Sequence, residues 1–262
     1  MQGVQDAVEH FFERLTGSKS RALLLDYDGT LAPFRVEREI SLPSPVIVDV
    51  LQQIIQKTNT RVVMVTGRSA KSLRALVPLR PVPEIWGTHG LERLLPDGSY
   101  QLAPLDQRQL QALQQAHELA VGLNLAPLLE EKPGALALHW RSMTLPATTH
   151  ARNMVHRAWN PIAQSNGLLL EEFDGGLELR LPVHDKGDAV RTILDEMGPD
   201  SVVAYLGDDR TDEDGFRALR IQDLAVLVRT ESRDTCADIW IHPPERLAEF
   251  LNEWLSACGG AL

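Results

Sequence analysis

ALLLDY (residues 22–27) is an almost unbroken aliphatic run that ends on a carboxylate, and runs of the same kind recur. RVVMV (61–65), EIWGT (84–88), VVAYLG (202–207) and LAVLV (224–228) are all short and apolar at nearly every position. Strands buried on both faces belong to a parallel sheet covered by helices on each side. Helical segments lie between them. SPVIVDVLQQIIQKTN offers Ser44 as N-cap, Pro45 at the first helical position and Asn59 as a stop. SAKSLRALV, DKGDAVRTILDEM, TDEDGFRAL and PERLAEFLNEWLSA supply further helices, and ADIWI another strand. The expected fold is α/β, a Rossmann-like parallel-sheet core with helices on both faces.

The middle of the chain follows a different pattern. PDGSY (96–100) signals a turn, and LDQRQLQALQQAHELAVGL reads as an amphipathic helix. GALALHW (134–140) alternates as a half-exposed strand does. A second helix over 146–165 precedes LLLEE, a DGG turn at 174–176, and LELRL. This predicts a smaller inserted α/β cap at 104–182, with hinges near Pro104 and Pro182. Residues 1–103 and 183–262 then form the core.

Composition excludes several classes of function. Of 262 residues, 26 are Lys or Arg and 36 are Asp or Glu, for a net charge of −10. Nucleic-acid binding needs a basic surface, so it is not expected. Two cysteines, Cys236 and Cys258, make no disulfide framework. No signal-peptide pattern and no long apolar run is present, so no membrane span is expected. The expectation is a cytoplasmic monomer acting on a small molecule.

The chemistry-bearing residues fall at strand ends, where open parallel sheets bind ligands. Asp26 and Asp28 close the first run and project to the same side, because strand side chains alternate. Two like charges that close repel, so the site must want a cation or use one acid and one base. Thr66-Gly67-Arg68 ends the second run, Asp208-Asp209 a later one, and Lys186 opens a helix. Carboxylates at 26, 28 and 208 suit a hard cation such as Mg²⁺. A carboxylate is also a nucleophile toward phosphorus, and a second one can protonate the leaving oxygen and then activate water. The Thr66 hydroxyl, the Gly67 amide and the Lys186 ammonium suit a phosphoryl group, whose transfer needs electrostatic clamping. Other acidic residues have plainer readings. Asp185 is expected to cap the helix after it, and Thr211 with Asp214 resembles a capping box. Asp212 is open between cap and site, His89 between packing and support of the site.

DYDGTL, VTGR, DKG and GDD, in that order, resemble the four signature motifs of the haloacid dehalogenase superfamily of phosphotransferases. LLLDYDGTLAP, GTHG, EEK followed by HWR, and YLGDDRTDEDGF are similar to the trehalose-6-phosphate phosphatase family within it. The resemblance runs from about Arg21 to about Leu255. It implies Asp26 as nucleophile and Asp28 as acid/base. It implies Mg²⁺ on the side chains of Asp26 and Asp208 and the backbone carbonyl of Asp28, with Asp209 and Asp212 in support. Thr66, Arg68 and Lys186 would hold phosphate or order the site. Glu130, Lys132 and Glu178, which alone read as a solvated charge cluster, would bind sugar hydroxyls, and His139 and Arg141 would brace that strand. The cap would close over the sugar. Trp140 and Leu181 depart from the family pattern, which usually has tyrosine and proline there. The implied function is Mg²⁺-dependent hydrolysis of trehalose 6-phosphate. Alternatives are another sugar phosphate, such as sucrose 6-phosphate or a glycosyl-glycerol phosphate, or a non-enzymatic phospho-acceptor.

Overall fold

A computed structural model describes residues 2–33, 41–173, 175–182 and 184–259. Asp174, the first residue of the expected DGG turn, lies outside the described residues. The chain falls into two compact units, one of Met1–Gln101 with Asp185–Leu262, the other Leu102–His184.

The first unit begins with α1 (Gln2–Gly17) and β1 (Arg21–Leu25). Then come α2 (Pro45–Lys57), β2 (Thr60–Val65), α3 (Ala70–Leu76), β3 (Glu84–Gly87), β4 (Glu92–Leu94) and β5 (Tyr100–Leu102). After the second unit it resumes with α6 (Lys186–Met197), β10 (Val202–Gly207), α7 (Asp212–Ala218), β11 (Leu224–Val228), β12 (Ile239–Ile241) and α8 (Glu245–Ala257). The sheet order is β12-β11-β10-β1-β2-β3-β4-β5. The six strands from β12 to β3 pair in parallel, and β4 turns back antiparallel on β3.

Strand residues of opposite parity feed two separate cores. Leu23, Leu25, Met64, Ala204, Leu206 and Val226 pack with α1, α2, α3 and α8. Leu24, Val63, Val65, Val203, Tyr205 and Ala225 pack with α6 and α7. The chain order runs outward from β1 in both directions, so the order reverses between β1 and β10. Such a reversal opens a crevice at the carboxyl ends of the strands. Asp26 follows β1 and Asp208 follows β10, one on each side of it.

Local expectations differ in detail. Helix α2 starts after Ser44 with Pro45 but ends at Lys57, where Thr58 rather than Asn59 makes the cap. Asp185 caps α6 in a reciprocal box with Asp188. Thr211 does not make the expected capping box: its backbone is helical and its side chain makes no cap hydrogen bond.

The second unit holds α4 (Gln107–Gly122), β6 (Leu129–Lys132), β7 (Ala135–His139), α5 (Leu145–Asn166), β8 (Leu169–Phe173) and β9 (Gly176–Arg180). Its antiparallel sheet has the order β6-β7-β9-β8. Leu136, Leu138, Leu177 and Leu179 pack one face onto α4 and α5, around the buried Trp159. The register sets Glu130 opposite Ala137 and Ala137 opposite Glu178, so both glutamates stand on the other face. Among the described residues, no helix is long and apolar enough to cross a membrane.

Candidate active site

The first loop after β1 turns at once. Gly29 takes a φ of 89°, a region that L side chains rarely enter, and Gly29 N–H donates to Ala32 O at 2.8 Å. The turn keeps Asp26, Asp28 and Thr30 together at the end of the strand. Asp26 N–H still donates to Leu206 O at 2.9 Å, so the β1–β10 ladder runs up to the nucleophile candidate itself.

Asp26, Asp208 and Asp212 each place a carboxylate oxygen within 4.8 Å of the others, and all three are buried. Lys186, the first residue of α6, answers them. Its ammonium donates to Asp26 Oδ1 and to Asp212 Oδ1, both at 2.7 Å. Thr30 Oγ1 donates to Asp26 Oδ2 at 3.3 Å and lies 3.5 Å from Asp208 Oδ1. Desolvation is the largest influence on Asp26 and raises its pKa, with Lys186 opposing and Asp212 adding to the rise. Asp208 is also pushed up, by desolvation first and then by Asp26 and Asp212. For Lys186, desolvation pulls the pKa down, but the two carboxylates outweigh it and raise it.

The donor set fits a hard divalent cation. Three buried carboxylates meet one buried ammonium, on Asp26 and Asp212, and one part-exposed guanidinium, Arg229, at 4.0 Å from Asp208 Oδ2; a negative charge stays in surplus, and every donor is oxygen. Asp212 is already saturated. Its Oδ1 accepts from Lys186 and from Tyr205 O–H at 2.7 Å. Its Oδ2 accepts the N–H groups of Asp208 at 3.0 Å and Asp209 at 2.9 Å. Asp26 and Asp208 are the carboxylates whose bonding leaves most room for a cation. Asp209 is half-buried, and its Oδ1 accepts Arg210 N–H at 2.7 Å.

Asp28 points elsewhere. Arg68 forks onto it, Nε to Oδ2 and Nη2 to Oδ1, both at 2.6 Å. The guanidinium is buried and lies 5.6 Å from the Tyr27 ring centroid. Of the two expectations for Arg68, holding phosphate or ordering the site, the fork on the acid/base candidate accords with the second.

Thr66 and Gly67 follow β2. Thr66 N–H donates to Trp86 O at 2.9 Å and its Oγ1 accepts Arg68 N–H at 3.1 Å. His89 N–H donates to Thr66 O at 3.0 Å, and its ring lies against Gly67, where a Cβ would meet the ring at 2.7 Å. Thr88 and His89 have φ of 44° and 56°. Two successive non-glycine residues in the left-handed region are costly, and such strain gathers at functional sites. Glu92 anchors the turn, accepting from Thr88 Oγ1, Ala70 N–H and Tyr100 O–H.

Glu130, Lys132 and Glu178 belong to the second unit, on neighbouring positions of one face of its sheet. Lys132 and Glu178 make a buried ion pair, and His139 Nε2 lies 2.7 Å from Glu130 Oε2. His139 also meets the Phe173 ring edge-on at 5.3 Å. Sequence reading missed Tyr205, Glu92 and the pair Arg229 and Arg233, which bond the carbonyl of Asp208. Thr30 was within reach, because it stands inside DYDGTL.

Comparison with known proteins gives this geometry a family. A trehalose-phosphate phosphatase of Mycobacterium marinum is 31% identical over 247 residues, covering 87% of this chain and 60% of that protein. The chain thus spans about 60% of the length of this relative. Trehalose-phosphate phosphatase B of Arabidopsis thaliana is 29% identical over 275 residues, covering 95% of this chain and 71% of that one. The C-terminal domain of the C. albicans trehalose-6-phosphate phosphatase superposes with a TM-score of 0.78 at 20% identity, over 97% of both chains. At that identity the likeness speaks for the fold alone. The sequence profile of the family described as Trehalose-phosphatase matches residues 24–238. By that match, the chain belongs to the trehalose-phosphatase family.

Proposed function

We propose that this chain hydrolyses trehalose 6-phosphate to trehalose and phosphate through a phosphorylated Asp26. The observation that carries the reading is Asp26 itself: a buried carboxylate held by Lys186 at the switch point of the sheet, with a second aspartate two residues on. An Asp26 oxygen attacks phosphorus, and the bond from phosphorus to the sugar oxygen breaks. Asp28 gives that oxygen its proton. In the second half water attacks phosphorus and gives a proton to Asp28, the bond from phosphorus to the Asp26 oxygen breaks to free phosphate, and Asp28 is protonated again for the next turnover. Arg68 fixes the direction of Asp28. Thr66 and the Gly67 amide hold phosphoryl oxygens, and Lys186 offsets the charge on Asp26 and phosphate. Asp26, Asp208 and the backbone carbonyl of Asp28 would hold Mg²⁺, with Asp212 and Asp209 setting the shape of that loop. The bound cation supplies charge neutralisation for the transferring phosphoryl group.

We assign chemistry to the first unit and sugar recognition to the second. Glu130, Lys132 and Glu178 offer acceptors and a donor suited to hydroxyl groups. The family supports trehalose as the sugar; the relatives' names carry that substrate.

Phosphate release from trehalose 6-phosphate, sucrose 6-phosphate, glucose 6-phosphate and an aryl phosphate, with Mg²⁺ and with chelator, tests the proposal. Metal-dependent turnover favouring the trehalose ester is expected. Turnover of the aryl ester without any disaccharide ester would discard the sugar assignment and keep the chemistry. Turnover of none would discard both.

A further inference from the structure

We infer that Arg233, clamped by Glu213, is a positioning residue that sets the cation affinity of the Asp208 loop, an inference that rests on the metal reading above. Arg233 lies 25 residues beyond Asp208, in the segment between β11 and β12. Its guanidinium is spread over backbone oxygens. Nε donates to Asp208 O at 3.3 Å, Nη2 to Asp209 O at 2.7 Å and Nη1 to Asp234 O at 2.8 Å. Nη1 also donates to Glu213 Oε1, and Arg229 Nη1 adds a bond to Asp208 O at 3.2 Å.

Glu213 is the fixed end of this clamp. It sits in the first turn of α7 and is buried. Besides Arg233 it accepts Thr235 Oγ1 and Cys236 N–H, each at 2.8 Å. The loop carrying Arg233 is therefore tied to the helix that also carries Asp212.

The consequence is a peptide plane held from both sides. The Asp208 carbonyl is pinned by the arginines, while the Asp209 N–H of the same plane is pinned by Asp212 Oδ2 at 2.9 Å. The preceding plane is pinned through the Asp208 N–H, again by Asp212. With both flanking planes fixed, the Asp208 side chain is held beside Asp26 although the two carboxylates repel. Groups that hold metal ligands in place are worth about 10- to 100-fold in metal affinity. Removing the clamp frees the plane, lets Asp208 turn away from Asp26, and weakens the cation.

Thermal unfolding of the whole chain at rising Mg²⁺, without substrate, tests this through the concentration at which Tm climbs. The series is wild type, R233M, R233K and R229M, each also melted in chelator. R233M should shift the Mg²⁺ dependence to about 10- to 100-fold higher concentration. R229M should shift it less, because the lost guanidinium also lies 4.0 Å from Asp208 Oδ2 and its removal favours a cation there, and R233K should recover part of the loss. A merely structural arginine would lower the Tm in chelator and leave the Mg²⁺ dependence within twofold of wild type, and that result overturns the inference. If R233M does not fold, R233K and R229M decide: a dependence within twofold of wild type in both overturns it. If wild type itself shows no Mg²⁺ upshift, the metal reading fails and the clamp with it, which is told apart by the failure of the unmutated chain.

Discussion

The cluster around Asp26 and the cluster around Glu178 are both rich in carboxylates, yet their charge balance differs. In the first unit three buried carboxylates outnumber the cations that meet them: Lys186 bonds Asp26 and Asp212, and Arg229 Nη1 lies 4.0 Å from Asp208 Oδ2. In the second, Lys132 stands paired with Glu178, and His139 lies against Glu130. A buried surplus of negative charge is costly unless a cation joins it. A carboxylate that already has its own cationic partner, as Glu178 has, makes no such demand, and donors and acceptors of this kind suit a neutral polyol. Under the proposed function this difference matches two ligands: a divalent cation with an anionic phosphoryl group on one cluster, uncharged hydroxyls on the other.

Breaking the first cluster should cost most. Asp26→Asn removes the nucleophile and is expected to lower kcat by more than about 10⁴-fold, by analogy with other nucleophile deletions. Phosphate release and circular dichroism check it; a folded variant with activity above one hundredth of wild type would sink the assignment of Asp26. Arg68→Lys comes next. One ammonium cannot replace the fork on Asp28, so leaving-group protonation should suffer by about 10²-fold on the sugar ester. An aryl ester with a good leaving group should lose much less in phosphorylation of the enzyme. Equal losses in single-turnover assays of both esters would place Arg68 on phosphate instead.

The second cluster should respond only to the sugar. Glu178→Gln keeps the shape and removes a charged acceptor, a change worth about 1.5–3 kcal/mol at a hydrogen bond, or about 10- to 150-fold. That loss is expected in kcat/KM for trehalose 6-phosphate, with the aryl phosphate within about threefold of wild type. A parallel fall on both substrates would remove the sugar role from Glu178. Truncation to alanine is a poorer test, because it leaves Lys132 buried without its main partner, which costs about 3–5 kcal/mol.

What sequence could reveal followed from the range of each interaction. Parallel strands declared themselves through apolar runs, and the aspartates stood out because they interrupt those runs at strand ends. Strand β4 gave no such signal: ERL is three residues long, and Glu92 and Leu94 are buried while Arg93 is partly exposed. The acidic run at 211–214 looked like helix-capping chemistry, and for Thr211 that reading failed. Asp212 turns its carboxylate inward to Lys186, Tyr205 and two backbone amides, partners that folding alone assembles. Arg68 is the same lesson at longer range. Its motif position left phosphate binding and ordering of the site both open, because the aspartate it grips lies 40 residues earlier in the chain. Local periodicity yields elements and strand ends; it does not say which buried donor meets which acceptor.

The smallest expected effect is on stability, and it sharpens the contrast of charge balance. Without metal, burial and mutual repulsion raise the pKa of Asp26 and of Asp208 in the folded chain. The folded state then keeps protons that the unfolded chain has released above the ordinary carboxylate range of about 4. More protons on the folded state mean that stability falls as pH rises. Each fully retained proton makes that slope about 1.4 kcal/mol per pH unit, and about 2–4 °C of Tm accompanies each kcal/mol in a chain of this size. Lys186, raised instead, contributes stability that persists through neutral pH and is lost only in strong alkali. In chelator, therefore, Tm should decline by several degrees between pH 6 and pH 8. Mg²⁺ competes with those protons, so its stabilising effect should grow over the same interval and flatten the decline. Asp208→Asn removes one of the repelling carboxylates and should flatten the curve in chelator as well, while abolishing the Mg²⁺ upshift. Glu178→Gln leaves Asp26 and Asp208 in place, so the decline of Tm with pH in chelator should persist in that variant. A flat curve for the wild-type chain in chelator would mean that the first cluster balances its charge without a cation, and the distinction between the two clusters would fall.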